Sequence, residues 1–360
     1  MYRNISIISF TQNGIHLSEM IGKNLDTAEY LLFTKCSAYF SELQEMDVPI
    51  QFVEESLSAW TKEQMEKGNA LLFIGACGIA VRAIAPFITD KLHDSPVLVM
   101  DEKGKYVIPI LAGHMGGANE LAHFIAEKTG AEPVITTATD INQKFSVDMF
   151  AKKNNLFIVN KDGIAKVSAK VLAQKEVTIA IEPGHGGEKI SLPQGIHFIA
   201  YPPKQPVDIL ITSENSTLEI ETALLLRPKE YVIGMGCRKG KEAEKIEDLI
   251  EQSLHEMGIS YTQIAVLASI DVKSKEEGLL AWSRTHQVPF LTYTAEELQG
   301  VKGVFHPSDF VRERVGVDNV CERAALRACG PDGKLVYEKH AVDGMTIAIA
   351  KREWSVTFYE

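Results

Sequence analysis

The sequence predicts an α/β fold with two three-layer α/β domains and a smaller α/β domain between them. Apolar runs of strand length alternate with amphipathic stretches of helix length, which is typical of layered α/β proteins. Several of these runs lead directly into a glycine turn and then a helix. From about Ser146 the pattern changes to a polar helical region with scattered lysines, and a third unit starts near Pro228. We therefore expect an N-terminal domain at 1–144, a middle domain at 145–226 and a C-terminal domain at 227–360.

Length and composition limit the class of protein. A chain of 360 residues that is 45% hydrophobic can bury two or three separate cores. The net charge of −11 does not suggest a nucleic acid or an acidic membrane surface as a partner. The five cysteines form no C-x-x-C pair, which favours reduced thiols over a disulfide framework or a zinc knuckle. The chain begins without the apolar core of a signal peptide, and no apolar run approaches the roughly 20 residues of a membrane span. We expect a cytoplasmic protein.

In the N-terminal domain, apolar runs predict the strands and amphipathic stretches predict the helices. The run from Asn69 to Ile74 ends in Gly75 and is typical of a buried strand. The polar segment 101–105, which contains Gly104, joins two further apolar runs as a hairpin. The expected strands are 4–10, 69–74, 96–100, 106–111 and 133–137, and the expected helices are 15–25, 54–67, 79–87 and 120–128.

The same alternation continues to the end of the chain. In the middle domain we expect strands at 156–159, 177–181, 197–200 and 208–213. In the C-terminal domain we expect strands at 231–233, 264–269, 288–293, 334–337 and 345–350, with helices at 241–257, 275–285 and 319–329.

A glycine-rich turn around His114 is the first candidate site. It lies between an apolar strand and a stretch of helical composition, and Gly130 stands where a helix ends. Its glycines would let the backbone approach a ligand, and the first turn of the next helix presents N–H groups that favour an anion or an oxyanion. A histidine there can move a proton near neutral pH. The alternative is a tight turn with a surface histidine. The candidate binding residues of this turn are Gly113, Gly116, Gly117 and Asn119.

Carboxylates near this turn are the candidates for acid–base partners. Asp101 lies in the hairpin, where a solvated turn charge is the alternative, and Glu120 lies in the first turn of the helix, where it favours the helix dipole. With His114, these two are the candidate catalytic residues. Asp140 ends a strand after Thr137, at the usual place for ligand-facing residues in open α/β sheets, and both are candidate binding residues.

A second glycine turn, at 234–240, is a partial dinucleotide fingerprint. Lys239 stands where a third glycine is wanted, and no acidic residue follows about 20 residues on. What remains is a turn of N–H groups beside Arg238 and Lys239, which suits carboxylates or phosphates. A solvated basic turn is the alternative. The candidate binding residues here are Gly236, Arg238 and Lys239.

The sequence offers little support for a protein-bound metal or for a nucleophilic catalytic residue. His114 and His185 both lie in glycine-rich loops, but no H-x-x-x-H pair or cysteine–histidine cluster accompanies them, so we expect no protein metal site. Cys77 follows a strand and precedes a helix, which allows an activated thiolate, although a small buried residue is the favoured interpretation.

Long runs of the sequence resemble a known family. GIAVRAIAPFITDK at 78–91, DEKGKYVIPILAGHMGGANELA at 101–122 and PVITTATD at 133–140 are similar to the cobalt-precorrin-5A hydrolases of anaerobic cobalamin biosynthesis. VIGMGCRKG at 232–240, LASIDVKSKEEGLLAW at 267–282, VCERAAL at 320–326 and TIAIA at 346–350 agree. The resemblance spans the chain except parts of the middle domain. One departure is Ala112, where a small hydroxyl residue is expected.

The resemblance implies a reaction and a substrate. The substrate is a corrinoid that already carries cobalt and a δ-lactone. Water opens the lactone, a two-carbon unit leaves as acetaldehyde, and cobalt-precorrin-5B remains. Because the cobalt belongs to the substrate, no cofactor and no protein metal are expected. Candidate protein partners are neighbouring cobalamin-pathway methyltransferases and a second copy of the chain.

This chemistry assigns roles as a hypothesis. His114 would act as the base, backbone N–H groups at 115–118 would receive the oxyanion, and Arg82, Arg238 and Lys239 would hold the acetate and propionate carboxylates of the macrocycle. Two alternatives stay open. One is a non-enzymatic tetrapyrrole-binding or carrier protein of the same pathway, and the other is a nucleotide-dependent enzyme that uses the turn at 234–240.

Overall fold

The computed structural model describes residues 4–25, 30–39, 48–89, 94–142, 144–186, 192–214 and 221–358. It is a mixed α/β fold with three parallel-rich sheets and interleaved helices, as the sequence predicts. The contacts divide the chain into two compact units, residues 1–149 and residues 150–360. The second unit contains two of the three sheets, and the three-domain division stays a prediction.

The first unit is built on a seven-stranded sheet in the order β3-β2-β1-β4-β5-β6-β7. Helices cover both faces of it, with α1 and α4 over one apolar cluster and α2 and α3 over the other. The strands are β1 (Ile5–Ser9), β2 (Tyr30–Thr34), β3 (Ile50–Phe52), β4 (Ala70–Ile74), β5 (Val97–Met100), β6 (Tyr106–Leu111) and β7 (Glu132–Pro133). The helices are α1 (Gln12–Asn24), α2 (Leu57–Glu66), α3 (Cys77–Ile84), α4 (Ala118–Thr129) and α5 (Ala138–Ile141). The next helix, α6 (Val147–Lys153), begins in this unit and continues into the second.

The hairpin β5–β6 reverses the direction of the chain in this sheet. β6 runs antiparallel to β5, with Leu111 beside Val97 and Val107 beside Met100, whereas the other neighbouring strands of the sheet are parallel. The turn after β6 therefore lies at the amino edge of β5, opposite to the edge where β1 and β4 end. β7 is parallel to β6, so the chain after Pro133 arrives at the same edge as the turn after β6.

The second unit contains two five-stranded sheets, in the orders β10-β9-β11-β12-β8 and β15-β14-β13-β17-β16. The strands of the first are β8 (Leu156–Ile158), β9 (Val177–Ile181), β10 (Ile196–Phe198), β11 (Val207–Ile211) and β12 (Thr222–Pro228). Those of the second are β13 (Tyr231–Cys237), β14 (Ile264–Ile270), β15 (Phe290–Tyr293), β16 (Lys334–Val342) and β17 (Met345–Lys351). The helices are α7 (Asp162–Leu172), α8 (Ala243–Met257), α9 (Glu277–His286), α10 (Ala295–Gln299), α11 (Asp309–Val315) and α12 (Cys321–Cys329).

Gly234 allows a close helix–strand contact in the second unit. A Cβ atom on Gly234 would lie 1.9 Å from the carbonyl oxygen of Cys321, at the start of α12. The glycine that begins the partial dinucleotide fingerprint is thus required by the packing of α12 on β13.

Most predicted elements are confirmed, with boundary shifts of a few residues. The helix predicted at 120–128 is α4, and Gly130 ends it in the left-handed conformation at φ 77°. The strand predicted at 133–137 is wrong beyond Pro133, and β2, β3 and β12 were not predicted. Among the described helices, none combines the length and apolar character that a membrane crossing requires.

Candidate active site

The turn after β6 is held by its own glycines. A Cβ atom on Gly116 would lie 2.4 Å from the Cβ of Ala112, and one on Gly113 would lie 2.8 Å from Oδ1 of Asn119. Gly117 adopts φ 89° and caps the start of α4. The sequence predicts that these glycines bring the backbone close to a ligand. In the structure, each glycine is explained by the packing or backbone conformation of the turn itself. Their contact with substrate stays a prediction.

This turn places His114 between two carboxylates. Nε2 of His114 lies 2.9 Å from Oδ1 of Asp140 and 3.2 Å from Oγ1 of Thr139, both in α5. Nδ1 lies 3.4 Å from Oδ2 of Asp148, in α6. The histidine side chain is only 15% exposed, so the alternative of a surface histidine is wrong. The side chains of His114, Asp140 and Asp148 form one cluster, which we call the His114 cluster.

Asn119 fixes the outer carboxylate of the His114 cluster. Its Nδ2 donates to Oδ2 of Asp140 at 2.5 Å and to Oγ1 of Thr137 at 3.0 Å. The structure thus brings together His114, Asn119, Thr137 and Asp140, which the sequence had singled out separately. They meet because β6 and β7 end at the same edge of the sheet.

The two carboxylates differ in their surroundings. The side chain of Asp148 is 10% exposed, and its Oδ1 accepts hydrogen bonds from Oγ of Ser146 and from the N–H of Met149. The side chain of Asp140 is 35% exposed. Asp148 is therefore placed to orient the imidazole from inside, as the buried aspartate does in a catalytic triad, while Asp140 is accessible to a reactant.

The carboxylates favour the charged form of the histidine. The hydrogen bond that the His114 ring donates to Asp148 raises the pKa of His114 above its usual value, burial opposes this, and Asp140 raises the pKa further. The two carboxylates therefore favour the imidazolium form of the ring, and the cluster has groups that can both donate and accept a proton.

The turn uses some of the N–H groups expected to receive an oxyanion. The N–H of Gly117 donates to the carbonyl of His114 at 3.0 Å, and that of Ala118 donates to the carbonyl of Ala112 at 3.1 Å. The hypothesis that 115–118 forms an oxyanion site is therefore wrong for Gly117 and Ala118. The hypothesis of an oxyanion site remains for the N–H groups of Met115 and Gly116.

A large cleft lies at the carboxyl ends of β13 and β14, in the second unit. Its volume is about 1300 Å³, and it is bordered by the β16–β17 hairpin and by α11. Gly236, Arg238 and Lys239 all line it, and their contact with substrate stays a prediction. A Cβ atom on Gly236 would lie 2.8 Å from Oγ1 of Thr346, so packing also explains this glycine. We call this site the C-terminal cleft.

Comparisons with known proteins agree with the resemblance seen in the sequence. Sequence models described as Cobalamin synthesis G N-terminal, Cobalamin biosynthesis central region and Cobalamin synthesis G C-terminus match residues 59–140, 145–228 and 231–350. A relative from Priestia megaterium named cobalt-precorrin-5A hydrolase is 30% identical over 96% of this chain and 94% of its own. The chain belongs to the cobalt-precorrin-5A hydrolase family.

Two further matches carry related names. A cobalt-precorrin-5A hydrolase from Salmonella typhimurium is 33% identical over 78% of this chain and 81% of its own length. A solved structure of a cobalamin biosynthesis protein G homolog from Sulfolobus solfataricus covers 98% of both chains at 23% identity, with a TM-score of 0.39.

In this member of the cobalt-precorrin-5A hydrolase family, the other predicted catalytic carboxylates lie elsewhere. Both oxygens of Asp101 accept backbone hydrogen bonds within the hairpin, from Lys103 at 2.9 Å and Tyr106 at 2.7 Å. Asp101 follows the carboxyl end of β5, whereas the turn after β6 lies beside the amino end of β5. Asp101 and His114 are therefore at opposite edges of the sheet. Glu120 is exposed in the first turn of α4, and among the described residues it makes no hydrogen bond to the His114 cluster. The structure gives both carboxylates a structural role, and their catalytic role stays untested.

Arg82 and Cys77 also lie at that opposite edge. Both belong to α3, which follows β4, and the Arg82 guanidinium folds back to within 3.4 Å of the Cβ position of Gly78. The guanidinium of Arg82 therefore lies near the start of α3, and among the described residues it makes no hydrogen bond or ion pair with the His114 cluster. The Cys77 side chain is exposed, so its interpretation as a small buried residue is wrong.

His185 has a packing role. Its ring stacks on Trp354 with centroids 3.8 Å apart, and its Nδ1 is 2.8 Å from the Trp354 carbonyl oxygen. Within the described ranges, no three histidine, cysteine or acidic side chains are grouped as a metal site would require.

Asp148 and Thr139 are the residues that the sequence analysis missed. Asp148 lies 34 positions beyond His114, as the two residue numbers show, in the first turn of α6, where an acidic residue is usual for the helix dipole. From the sequence alone, Asp148 is explained as a helix-dipole residue, and only the fold brings its carboxylate to Nδ1 of His114.

Proposed function

We propose that this chain hydrolyses cobalt-precorrin-5A, opening its δ-lactone and releasing acetaldehyde to give cobalt-precorrin-5B. The names of its relatives supply the substrate. The observation that carries the proposal is the position of His114 between an exposed and a buried carboxylate. Such a cluster provides the proton transfers that both steps of the reaction need.

The first step is attack of water on the lactone carbonyl. The carboxylate of Asp140 takes a proton from the water, and a C–O bond forms at the carbonyl carbon. As the tetrahedral intermediate collapses, the ring C–O bond breaks, and the His114 imidazolium gives its proton to the departing oxygen. The acid–base groups are suited to this because the pKa of His114 is raised by Asp148 and Asp140.

The second step breaks a carbon–carbon bond. His114, now neutral, takes back the proton from the hydroxyl of the two-carbon unit. The O–H electron pair forms the carbonyl of acetaldehyde, and the electron pair of the broken C–C bond passes into the conjugated macrocycle. His114 is thus an acid in the first step and a base in the second, and it returns to its starting state. The proton on Asp140 goes to solvent.

The test compares variants that keep the shape of the cluster. His114→Asn and Asp140→Asn should lose activity by about 100- to 10,000-fold, the usual value of general acid–base help. Asparagine is preferred to alanine at position 114 because it leaves a polar partner for Asp148. Acetaldehyde release and the corrinoid absorbance are followed together. The control is His123→Asn, an exposed histidine on α4.

Two outcomes would contradict the proposal. Turnover close to wild type in both variants would remove the His114 cluster from the reaction. Tight corrinoid binding without conversion by the wild-type chain would make it a carrier protein instead.

A further inference from the structure

The C-terminal cleft has an excess of positive charge in an acidic protein. Six cations line it, against the three acids Glu276, Asp318 and Asp343, although the whole chain has a net charge of −11. The six lining cations are Arg238, Lys239, Lys273, Lys275, Arg314 and Lys339.

Each lining acid is already neutralised by a cation. Glu276 pairs with Lys273 at 2.9 Å. Asp343 pairs with Lys241 at 2.6 Å, and Asp318 pairs with Arg323 at 2.9 Å. The negative charges of the cleft are therefore not available to the remaining cations.

Four of the lining cations have neither a carboxylate nor a carbonyl partner in the part of the chain that the structure describes, whereas Lys339 donates to the carbonyl of His306 at 3.2 Å. The four are Arg238, Lys239, Lys275 and Arg314. All four are exposed. The guanidinium of Arg314 is held over the ring of Phe310 at 4.7 Å, which fixes its position while leaving its N–H groups open. The cleft thus offers several unpaired cations to one ligand.

The same cleft exposes large apolar side chains. Val272 is 64% exposed, Phe310 is 58% exposed and Val342 is 42% exposed, and all three line it. Apolar groups beside unpaired cations suit a ligand that is apolar in its body and anionic at its edge. A volume of about 1300 Å³ is also larger than the roughly 300–1000 Å³ of a drug-sized pocket, which indicates a large ligand.

We infer that the C-terminal cleft binds the carboxylate-bearing edge of a corrinoid, with Lys275 and Arg314 acting as carboxylate-binding residues beside Arg238 and Lys239. The choice of a corrinoid rests on the proposed function, whereas the anionic edge and apolar body rest on the cleft itself. The site is built wholly from residues of the second unit and needs none of the His114 cluster.

The test measures equilibrium binding to the full chain, separately from turnover. The probe is dicyanocobyrinic acid, a corrin whose peripheral side chains end in carboxylates, and its amidated counterpart is dicyanocobinamide. The acid should bind more tightly than the amide, and its affinity should fall with added salt. Arg314→Ala and Lys275→Ala should each weaken it by about tenfold, the usual loss for one charge-assisted hydrogen bond. Lys302→Ala, which removes an exposed lysine that does not line the cleft, should leave the affinity unchanged.

The outcomes separate this inference from the proposed function. Equal binding of acid and amide, or wild-type affinity in both cleft variants, would overturn the inference even if acetaldehyde is still released. Loss of binding in His114→Asn would also overturn it, because the corrinoid would then depend on the other site. Charge-dependent binding at the cleft without acetaldehyde release would keep the inference and remove the proposed function.

Discussion

The two carboxylates beside His114 differ in exposure, and this difference separates their roles. Asp148 is nearly enclosed and is held by Ser146 and by the backbone of Met149. Asp140 keeps about a third of its side-chain surface exposed, and Asn119 fixes its second oxygen. A reactant can therefore replace the contact between His114 and Asp140 without disturbing the contact between His114 and Asp148.

The Asp148→Asn substitution should move the pH dependence of the enzyme. Asp148 raises the pKa of His114, so its removal lowers that pKa. If the reaction starts from the imidazolium, the rate falls as pH rises through this pKa, and in the variant the fall occurs at lower pH. An NMR titration of the His114 ring measures the change in its pKa, and a pH–rate profile measures the change in the pH at which the rate falls. His123→Asn should leave the profile unchanged, and a variant profile that coincides with wild type would assign Asp148 a purely structural role.

The same substitution should have a pH-dependent effect on stability. A histidine whose folded pKa is raised stabilises the fold fully below its unfolded value of about 6.5, and this contribution is lost as pH rises through the folded pKa. Asp148→Asn should therefore lower the free energy of unfolding more at pH 6 than at pH 9. Thermal unfolding at the two pH values measures the difference.

At the scale of the element, the turn after β6 depends on the absence of side chains at its glycines. Gly116→Ala would force a methyl group to within 2.4 Å of the Cβ of Ala112, in a segment packed against the sheet. The expected loss of stability is about 1–3 kcal/mol, as for other overpacked sites. Gly300→Ala is the matched control, since its Cβ would have ordinary contacts, the nearest at 3.4 Å. Equal unfolding temperatures of the two variants would mean that the turn relaxes around the added methyl.

Local pattern predicts those elements whose own residues determine them. β4 is an apolar run closed by glycine, and α4 has a helical composition closed by Gly130, so both were predicted. β12 contains Thr-Ala-Leu-Leu-Leu, residues that largely favour a helix, and it is a strand because β11 and β8 pair with it on either side. β7 is short because it pairs with β6 alone at the edge of the sheet, so the chain leaves it after Pro133.

At the scale of the whole molecule, the sheet topology decides which predicted residues meet. The sequence indicates both the hairpin and the turn after it, but the edge at which His114 lies follows from the antiparallel pairing of β6 with β5. That pairing brings Asp140 to His114 and leaves Arg82 and Asp101 at the opposite edge. Asp148 was missed for the same reason, because no local pattern relates the first turn of α6 to a turn 34 residues earlier.

The overall reaction gives the last prediction, which concerns stoichiometry. The purified chain, with no added cofactor, should release one acetaldehyde for each corrinoid converted. In the proposed mechanism both steps need only proton transfer by the His114 cluster and an electron sink, and the conjugated macrocycle of the substrate is that sink. A chelator should leave the rate unchanged, because the cobalt is enclosed by the macrocycle. Trapped acetaldehyde is counted against the spectral change of the corrinoid. Lactone opening without acetaldehyde would refute the carbon–carbon cleavage, and a rate that falls with the chelator and returns with added metal would show a metal requirement outside the substrate.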